Sequence, residues 1–347
     1  MPGTGGSRRL SRRTVLIGAG AAVTAVGVGV SIAVAASGSG SSSPRGLAEL
    51  TIGVNDVDAI GFSPDGAYLY AASDMQIQQW HTSNWQTGIQ LNGDQVGLGA
   101  LAVHPRGTLL AGVSDAVYVW NTQTGELLRS LDRMGSAVDP LEYYTCLQFN
   151  PDGSLLAVGD QQGLIKLWNT TTWTAEGELK GHSGSVGGVA FSPDGTTLVS
   201  GGANDDSVRV WKLSSREAIA NAVQSGAVRA VSYSSDGRLY AAAYLDTVKF
   251  FDGTTHATAA TIGGFALSIT AASFVPGTHL VAAVDPNEDV RRCDPAPGAK
   301  QQSWSTDNGN DSVAVSPDGT MLAVGADGGG IHVWSIAAMK PAKDARN

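Results

Sequence analysis

The sequence has few of the residues on which disulfide-stabilised domains and many catalytic sites depend. Its 347 residues include only two cysteines, Cys146 and Cys293, and aromatic residues make up 7% of the chain. Two cysteines exclude a disulfide-rich scaffold. The six histidines lack the paired spacing of zinc ligands, and neither a Gly-x-Ser-x-Gly motif nor a phosphate-binding loop is present. We therefore predict no catalytic residue, no metal site and no cofactor.

Charged residues are also scarce, at 15% of the chain, and they are unevenly distributed. The first 45 residues contain five arginines and no acidic residue. Residues 46–347 hold 17 basic and 31 acidic residues, a net charge of −14. A body with this charge repels nucleic acid and anionic lipid, so we expect neither as a partner.

Glycine, by contrast, is abundant, with 45 residues, and much of it belongs to a repeated turn. The best example is Ser192-Pro193-Asp194-Gly195, in which Pro presets φ, Asp bonds the backbone and Gly accepts a positive φ. The turn recurs seven times at intervals of 41, 46, 42, 42, 41 and 41 residues. Its proline position holds Pro64, Pro105, Pro151, Pro193, Ser235, Pro276 and Pro317.

An aromatic side chain, usually tryptophan, follows six of the seven turns after 15 to 18 residues, and a cysteine holds this position after the other turn. These side chains are Trp80, Trp120, Trp168, Trp211, Phe251, Cys293 and Trp334. Short apolar segments separated by turn residues precede and follow each turn, which predicts several antiparallel strands per repeat. Such a unit cannot bury both of its faces alone, so the seven copies must pack against one another.

A repeat of 40 to 45 residues with four strands and a late tryptophan resembles the WD40 repeat of β-propellers. The resemblance covers residues 47–336 and implies an all-β fold, a seven-bladed propeller of four-stranded antiparallel blades. In the fourth repeat it also implies a buried hydrogen-bonded tetrad. Its members are His182, Ser200, Asp205 and Trp211. The other repeats lack most of these residues, and we expect packing to hold them instead.

Residues 47–52 form an apolar segment before the first complete turn, while the chain after Trp334 offers a poor strand. We therefore predict that 47–52 supplies the outer strand of the last blade. This pairing closes the ring and removes an open sheet edge. Residues 337–347 are predicted to be a flexible tail. In a seven-bladed ring, Cys146 and Cys293 fall on nearly opposite blades, beyond the ~7 Å reach of a disulfide.

The N-terminal region has the features of an export signal. Arg12 and Arg13 precede an uncharged run rich in alanine and glycine, residues 15–36, and resemble a twin-arginine export motif. A small-residue cleavage site follows at 33–35, so we interpret residues 1–36 as a signal peptide, with an uncleaved membrane anchor as the alternative. Residues 37–46 form a Gly/Ser linker. The sequence thus indicates a bacterial, exported member of the family, outside the cytoplasm and secreted or tethered to the cell envelope.

The turns between the second and third strands should lie together on one face of the ring, and most of them contain an acidic residue. The partner-binding candidates among them are Asp74, Asp160, Asp246 and Asp289. Tight turns favour aspartate for structural reasons as well. Residues 285–289 hold the densest acidic cluster, but their spacing matches no calcium loop.

The single long interval, residues 131–144, adds further candidates to the same face. Arg133, Met134, Tyr143 and Tyr144 are of types enriched in protein interfaces. The alternative is that both tyrosines begin an inner strand and pack between blades.

We conclude from the sequence that the protein is a non-catalytic platform for protein–protein interaction, with exported or membrane proteins as partners. The alternative is a propeller enzyme or small-ligand-binding protein that uses the central channel. Among the inner segments only Asp58 and Arg229 are ionisable, and two charges on distant blades do not form an acid–base pair.

Overall fold

The computed structural model describes residues 46–53, 55–73, 76–91, 97–131, 143–223, 226–286, 289–306 and 309–338. Over these residues the chain forms 28 strands in seven four-stranded antiparallel sheets. The fold is therefore the predicted seven-bladed β-propeller. Arg12 and Arg13, like the predicted signal peptide and most of the linker and tail, lie outside the described residues.

Each of the first six blades is one contiguous stretch of chain, with its strands in sequence order. Blade 1 comprises β2 (Ala59–Phe62), β3 (Tyr68–Ser73), β4 (Gln76–His81) and β5 (Thr87–Leu91). Blade 2 comprises β6 (Ala100–Val103), β7 (Leu109–Val113), β8 (Val117–Asn121) and β9 (Leu127–Leu131). Blade 3 comprises β10 (Tyr144–Phe149), β11 (Leu155–Asp160), β12 (Leu164–Asn169) and β13 (Ala175–Lys180).

Blades 4 to 6 repeat this arrangement. Blade 4 comprises β14 (Val186–Phe191), β15 (Thr197–Gly202), β16 (Ser207–Lys212) and β17 (Glu217–Val223). Blade 5 comprises β18 (Ala230–Tyr233), β19 (Leu239–Ala243), β20 (Val248–Asp252) and β21 (Thr258–Ile262). Blade 6 comprises β22 (Ala271–Phe274), β23 (Val281–Val284), β24 (Asp289–Cys293) and β25 (Gln302–Ser305).

Blade 7 joins the two ends of the propeller. It comprises β26 (Asn310–Val315), β27 (Met321–Ala326), β28 (Gly330–Ser335) and the first strand of the chain, β1 (Ala48–Thr51). β1 pairs antiparallel with β28, with Leu50 opposite Ile331. Short 3-10 turns span Asp327–Gly329 and Ile336–Ala338. The predicted closure of the ring by the N-terminal strand is confirmed.

The hydrophobic core lies between neighbouring blades. Buried side chains form seven clusters, one at each junction of two blades. The second strand of each blade is buried on both sides, which explains its continuous run of small and apolar residues. Outer strands alternate or are largely exposed. The seven late side chains predicted from the repeat all lie in third strands and are at most 8% exposed.

The repeated turn has the geometry that its sequence predicts. In blade 4, Gly195 has φ +69°, and its N–H donates to the Ser192 carbonyl (2.9 Å). The Ser192 hydroxyl donates to Asp194 (2.6 Å), and this bond is the main reason that the pKa of Asp194 is lowered. These turns lie on one face of the ring. The antiparallel strand order places two other kinds of connection on the opposite face of the ring: the turns between second and third strands, and the loops from blade to blade. We name this opposite face the turn face.

Neither cysteine forms a disulfide, and both are buried, in β10 and β24. Burial raises the pKa of the Cys293 thiol to about 12, so this side chain is an inert part of the core.

Candidate functional site

A connected set of polar side chains lies inside blade 4, where the sequence placed the tetrad. The Trp211 indole N–H donates to Ser200 Oγ (2.8 Å), and Ser200 Oγ lies 2.7 Å from His182 Nε2. His182 Nδ1 lies 3.0 Å from Asp205 Oδ2. Because tryptophan only donates, a consistent assignment runs from Trp211 through Ser200 and His182 to the carboxylate.

Strands and turns of one blade position these four residues. His182 lies in the loop that leads into β14, Ser200 is in β15 and Trp211 is in the neighbouring β16. Asp205 sits in the turn between them, where it also accepts hydrogen bonds from the Ser207 hydroxyl (2.8 Å) and the Ser183 amide (3.1 Å). The carboxylate therefore ties the entry loop, the turn and the third strand together.

The electrostatics of the network favour a neutral histidine beside a charged aspartate. Burial lowers the pKa of His182, and the neighbouring Asp205 only partly opposes this effect. Burial acts to raise the pKa of Asp205, but the Ser207 hydrogen bond and the interactions with His182 outweigh it, so the pKa is lowered.

Serine, histidine and aspartate bonded in this order also occur in hydrolase triads. In this protein, however, the serine is 0% exposed and the histidine 7% exposed. Ser200 Oγ already contacts two buried side chains, the Trp211 indole and the His182 ring. A substrate carbonyl has no route to this oxygen in the structure. The arrangement stabilises a blade and offers no open site for acyl transfer.

Other blades lack the partner that makes this network possible. The strand register places Ala71, Gly112, Val158, Ala242, Ala283 and Val324 where blade 4 has Ser200. Accordingly, the indole nitrogens of Trp80 and Trp168 are buried without a hydrogen-bond partner among the described residues. A buried indole N–H without a hydrogen-bond partner does not stabilise the fold. Packing of apolar side chains therefore holds these blades together.

Two residues of the predicted partner surface are buried, so that part of the prediction is wrong. Tyr144 is 1% exposed and packs between blades 2 and 3, with Lys166 Nζ 3.3 Å from its hydroxyl. Asp160 is also 1% exposed, and it accepts hydrogen bonds from the Gln162 and Leu164 amides, both at 2.9 Å. The alternative weighed for the tyrosines, packing between blades, holds for Tyr144.

The remaining candidates differ in their placement. Asp246 is exposed in the turn between β19 and β20, and Tyr143 is half-buried immediately before β10. Asp289 is the first residue of β24 rather than a turn residue. Asp74, Arg133 and Met134 lie outside the described residues. The structure thus leaves Asp246 and Tyr143 as described candidates on the turn face.

Sequence reasoning missed a cluster of carboxylates where the ring closes. Oxygens of Asp56, Asp311 and Asp327 lie within 4.8 Å of one another. Burial raises the pKa of Asp311 to about 7, and Asp327, Asp56 and Asp58 add to the effect. The group has ligand types that suit a hard cation. The three residues come from the two ends of the repeat array, so only the ring closure brings them together.

The acidic cluster predicted at residues 285–289 is less suited to a cation than the cluster of Asp56, Asp311 and Asp327, because Asp285 is 0% exposed. Within the described residues, the structure has no helix with the length and apolar character needed to cross a membrane.

The described residues form a seven-bladed propeller, and parts of the chain match a known family of repeats. The WD40 family model, described as WD domain, G-beta repeat, matches residues 49–81, 137–169, 173–212 and 306–335. These segments fall in blades 1, 3, 4 and 7. Proteins with WD40 propellers typically bind other proteins, and the chain is similar to them in both sequence and fold.

Three of the curated relatives are eukaryotic proteins that match about half of the chain or less. "Pre-mRNA-processing factor 19 homolog 2" of Arabidopsis thaliana is 28% identical over 173 residues, 48% of the chain and 32% of the relative. "WD repeat-containing protein SL1-17" of Schistosoma mansoni is 30% identical over 177 residues, 50% of the chain and 56% of the relative.

A third relative is "p21-activated protein kinase-interacting protein 1-like" of Xenopus laevis, 33% identical over 149 residues, 43% of the chain and 39% of the relative. The chain therefore spans about a third to just over half of the length of these three relatives.

Proposed function

We propose that this protein is a non-catalytic WD40-type platform that binds a protein partner through its turn face. The burial of the Ser200–His182–Asp205 unit carries the proposal. Of the side-chain groups described, this one most resembles a catalytic triad, but substrate cannot reach it. We therefore assign it a structural role in stabilising blade 4. Recognition then falls to the surface, where the turn face presents Asp246 and Tyr143.

The similarity to WD40 proteins supports a binding role, because the propeller is a rigid frame whose loops vary. One relative bears a name that describes an interacting protein. For this chain we infer the same general role.

We further propose that the propeller acts outside the cytoplasm of a bacterium. Arg12 and Arg13 before the uncharged run 15–36 support export in a folded state. The partner is then an exported or membrane protein. If residues 15–36 are not cleaved off, they would anchor the propeller to the membrane.

Site-specific photo-crosslinking of the full-length protein in its native host tests the binding role. A photoreactive residue at position 143 or 246 should crosslink a single partner, identified by mass spectrometry. The same residue at position 194, on the opposite face, should not. Crosslinks from 194 alone, or from none of the three positions, would contradict a platform that uses the turn face.

Export is tested separately with a reporter that is transported only when folded. Residues 1–40 should export it, and Arg12→Lys combined with Arg13→Lys should stop export. Continued export of the double variant would contradict the twin-arginine assignment, and N-terminal sequencing would distinguish cleavage near residue 36 from a retained anchor.

A further inference from the structure

The repeated turn of blade 2 differs from the others at two of its positions. Four turns begin with a serine: Ser63, Ser192, Ser234 and Ser316. Each of these hydroxyls donates to the aspartate two residues later in its own turn, as Ser192 does to Asp194 (2.6 Å). Blade 2 has His104 in place of the serine and Arg106 in place of the aspartate. The local pair of hydroxyl and carboxylate is therefore missing from this turn.

The imidazole of His104 instead connects blade 2 to blade 3. Its Nε2 lies 3.0 Å from the carbonyl oxygen of Gly153, in the corresponding turn of blade 3. Its Nδ1 accepts a hydrogen bond from the Arg106 amide (3.1 Å). Because an amide N–H only donates and a carbonyl only accepts, these partners assign the neutral ring with its proton on Nε2. We name His104, Arg106 and Gly153 the blade 2–3 clasp.

The ring of the clasp fits closely between the two blades. His104 is 6% exposed, and its ring meets the edge of Phe149 at the end of β10, with the ring centres 5.0 Å apart. A Cβ added at Gly153, where φ is +79°, would overlap the imidazole, so a side chain there would displace the ring. The Thr170 hydroxyl donates to the same Gly153 carbonyl. The clasp therefore joins the turn of blade 2 to two turns of blade 3.

Other neighbouring turns meet through contacts of a different kind. The proline of one turn lies beside the glycine of the next, and a Cβ at Gly237 would lie 3.5 Å from Pro193 Cδ. Such packing does not change with pH. Blades 5 and 6 are also connected by a histidine, but His279 Nε2 lies 2.9 Å from a carboxylate, that of Asp236. A carboxylate attracts a protonated imidazole, so acid should strengthen that contact.

Protonation is incompatible with the clasp. A proton on Nδ1 would point at the Arg106 amide proton, so the hydrogen bond would become a repulsion. Burial lowers the pKa of His104, the bond to Gly153 partly opposes this effect, and the charge of Arg106 adds to it. On the turn of blade 3, the exposed Asp152 carries the neighbouring negative charge, and Arg106 contributes to lowering its pKa. The stability contributed by the neutral His104 ring is thus present above pH 6.5 and is lost as pH falls below it.

From these contacts we propose that the blade 2–3 clasp is an acid-sensitive connection between two blades. In acid the protonated His104 ring gives up the Arg106 amide and leaves its site against Gly153. The junction of blades 2 and 3 then loosens at this face, while the turns that meet through packing stay in contact. This inference goes beyond the proposed binding role and does not depend on it.

NMR and hydrogen exchange of the full-length protein test the clasp directly. The His104 ring, assigned by the loss of its signals in His104→Gln, should titrate below pH 6.5, and the Arg106 amide resonance should move with the same midpoint. The protection of the Arg106 amide, corrected for the intrinsic exchange rate, should fall about tenfold for each pH unit below that midpoint. The Gly277 amide is the control, because it donates to Ser235 Oγ between blades 5 and 6 (3.0 Å), and it should keep its protection.

Melting temperatures of variants test the same clasp through stability. His104→Ser combined with Arg106→Asp gives blade 2 the serine and aspartate of the other turns, without a titrating ring. Between pH 7 and pH 5 its melting temperature should fall less than that of wild type, by about 2–5 °C. His279→Gln is the matched control, and it should not reduce the acid loss. His182 is present in all three proteins, so its effect cancels.

Three results would each overturn the proposal. They are titration of His104 at pH 6.5 or above, equal loss of protection at Arg106 and Gly277, and parallel melting profiles of wild type and the double variant. The first two are measured on the wild-type fold, so they decide the question even if the double variant fails to fold.

Discussion

Blades 4 and 7 have the same four-stranded sheet, but different interactions hold them together. Blade 4 is one contiguous stretch with a buried chain of hydrogen bonds from Trp211 to Asp205. Blade 7 has Val324 where blade 4 has Ser200, and its fourth strand comes from the other end of the repeat array. The comparison shows that the fold requires a filled junction between blades, whereas the tetrad is one of several ways to reinforce it.

Removing the closing strand should show the largest difference between these blades. Deletion of residues 1–54 removes Leu50 and Ile52, which are 2% and 3% exposed, and leaves β28 as an open edge. Burial of two such side chains contributes about 3–6 kcal/mol, so the melting temperature should fall by about 10 °C or more. Deletion of residues 1–44 is the control and should leave it unchanged. Equal melting temperatures of the two proteins would contradict the role of β1.

A substitution inside the tetrad should have the next largest effect. Asp205→Ala removes the acceptor for Ser207, Ser183 and His182, and should cost about 2–4 kcal/mol of unfolding free energy in urea titrations. Asp327→Ala in blade 7 is the comparison. It removes a carboxylate that is exposed and lies beside Asp311, so it should be neutral or slightly stabilising. Similar losses at both sites would show that the tetrad contributes little.

Paired tryptophan substitutions isolate one hydrogen bond of the tetrad. Trp211→Phe loses the bond to Ser200 as well as part of the ring, whereas Trp334→Phe loses ring area beside Val324. Trp211→Phe should therefore cost about 1–2 kcal/mol more. Differential scanning calorimetry of the two variants measures this difference, and its absence would mean that the indole is retained for its volume.

Blades 4 and 7 should also differ in the pH dependence of their stability. The folded-state pKa of Asp311 is raised to about 7 from its ordinary value of 3.8, so the fold favours the protonated carboxyl. The stability that the protonated Asp311 carboxyl contributes is fully present below pH 3.8 and is lost as pH rises through 7. His182 behaves oppositely: its pKa is lowered by burial, so stability falls as pH drops below 6.5.

Asp311→Asn should therefore remove the loss of stability that the Asp311 carboxyl causes as pH rises from 4 to 8. It should not change the loss of stability that His182 in blade 4 causes as pH falls below 6.5. Melting temperatures of wild type and variant across this range measure the difference. Parallel profiles would show that the carboxylate cluster does not titrate as the structure indicates.

The repeat pattern carried most of the information about the fold. Three features could be predicted: the turn glycines, the tryptophans of the third strands and the apolar segment at 47–52. Each depends on local backbone geometry or burial, and residue type reflects both directly. The tetrad was predictable in blade 4 because all four side-chain types occur there at the expected spacing.

The surface was harder to predict because exposure depends on neighbours that are distant in sequence. Asp160 and Tyr144 have residue types common in turns and interfaces, yet the adjacent strands bury both. The carboxylates of Asp56 and Asp311 are 255 residues apart and meet only after the ring closes.

The central claim is that the polar core of blade 4 supports the fold while the turn face binds a partner. Its most direct test measures melting temperature and partner binding together in Ser200→Ala and Asp246→Lys, using the partner identified by crosslinking. Ser200→Ala should lower the melting temperature yet leave binding by the folded protein unchanged. Asp246→Lys should weaken binding and leave the melting temperature unchanged. If Ser200→Ala instead abolished function without loss of stability, the buried serine would be functional and the account would be wrong.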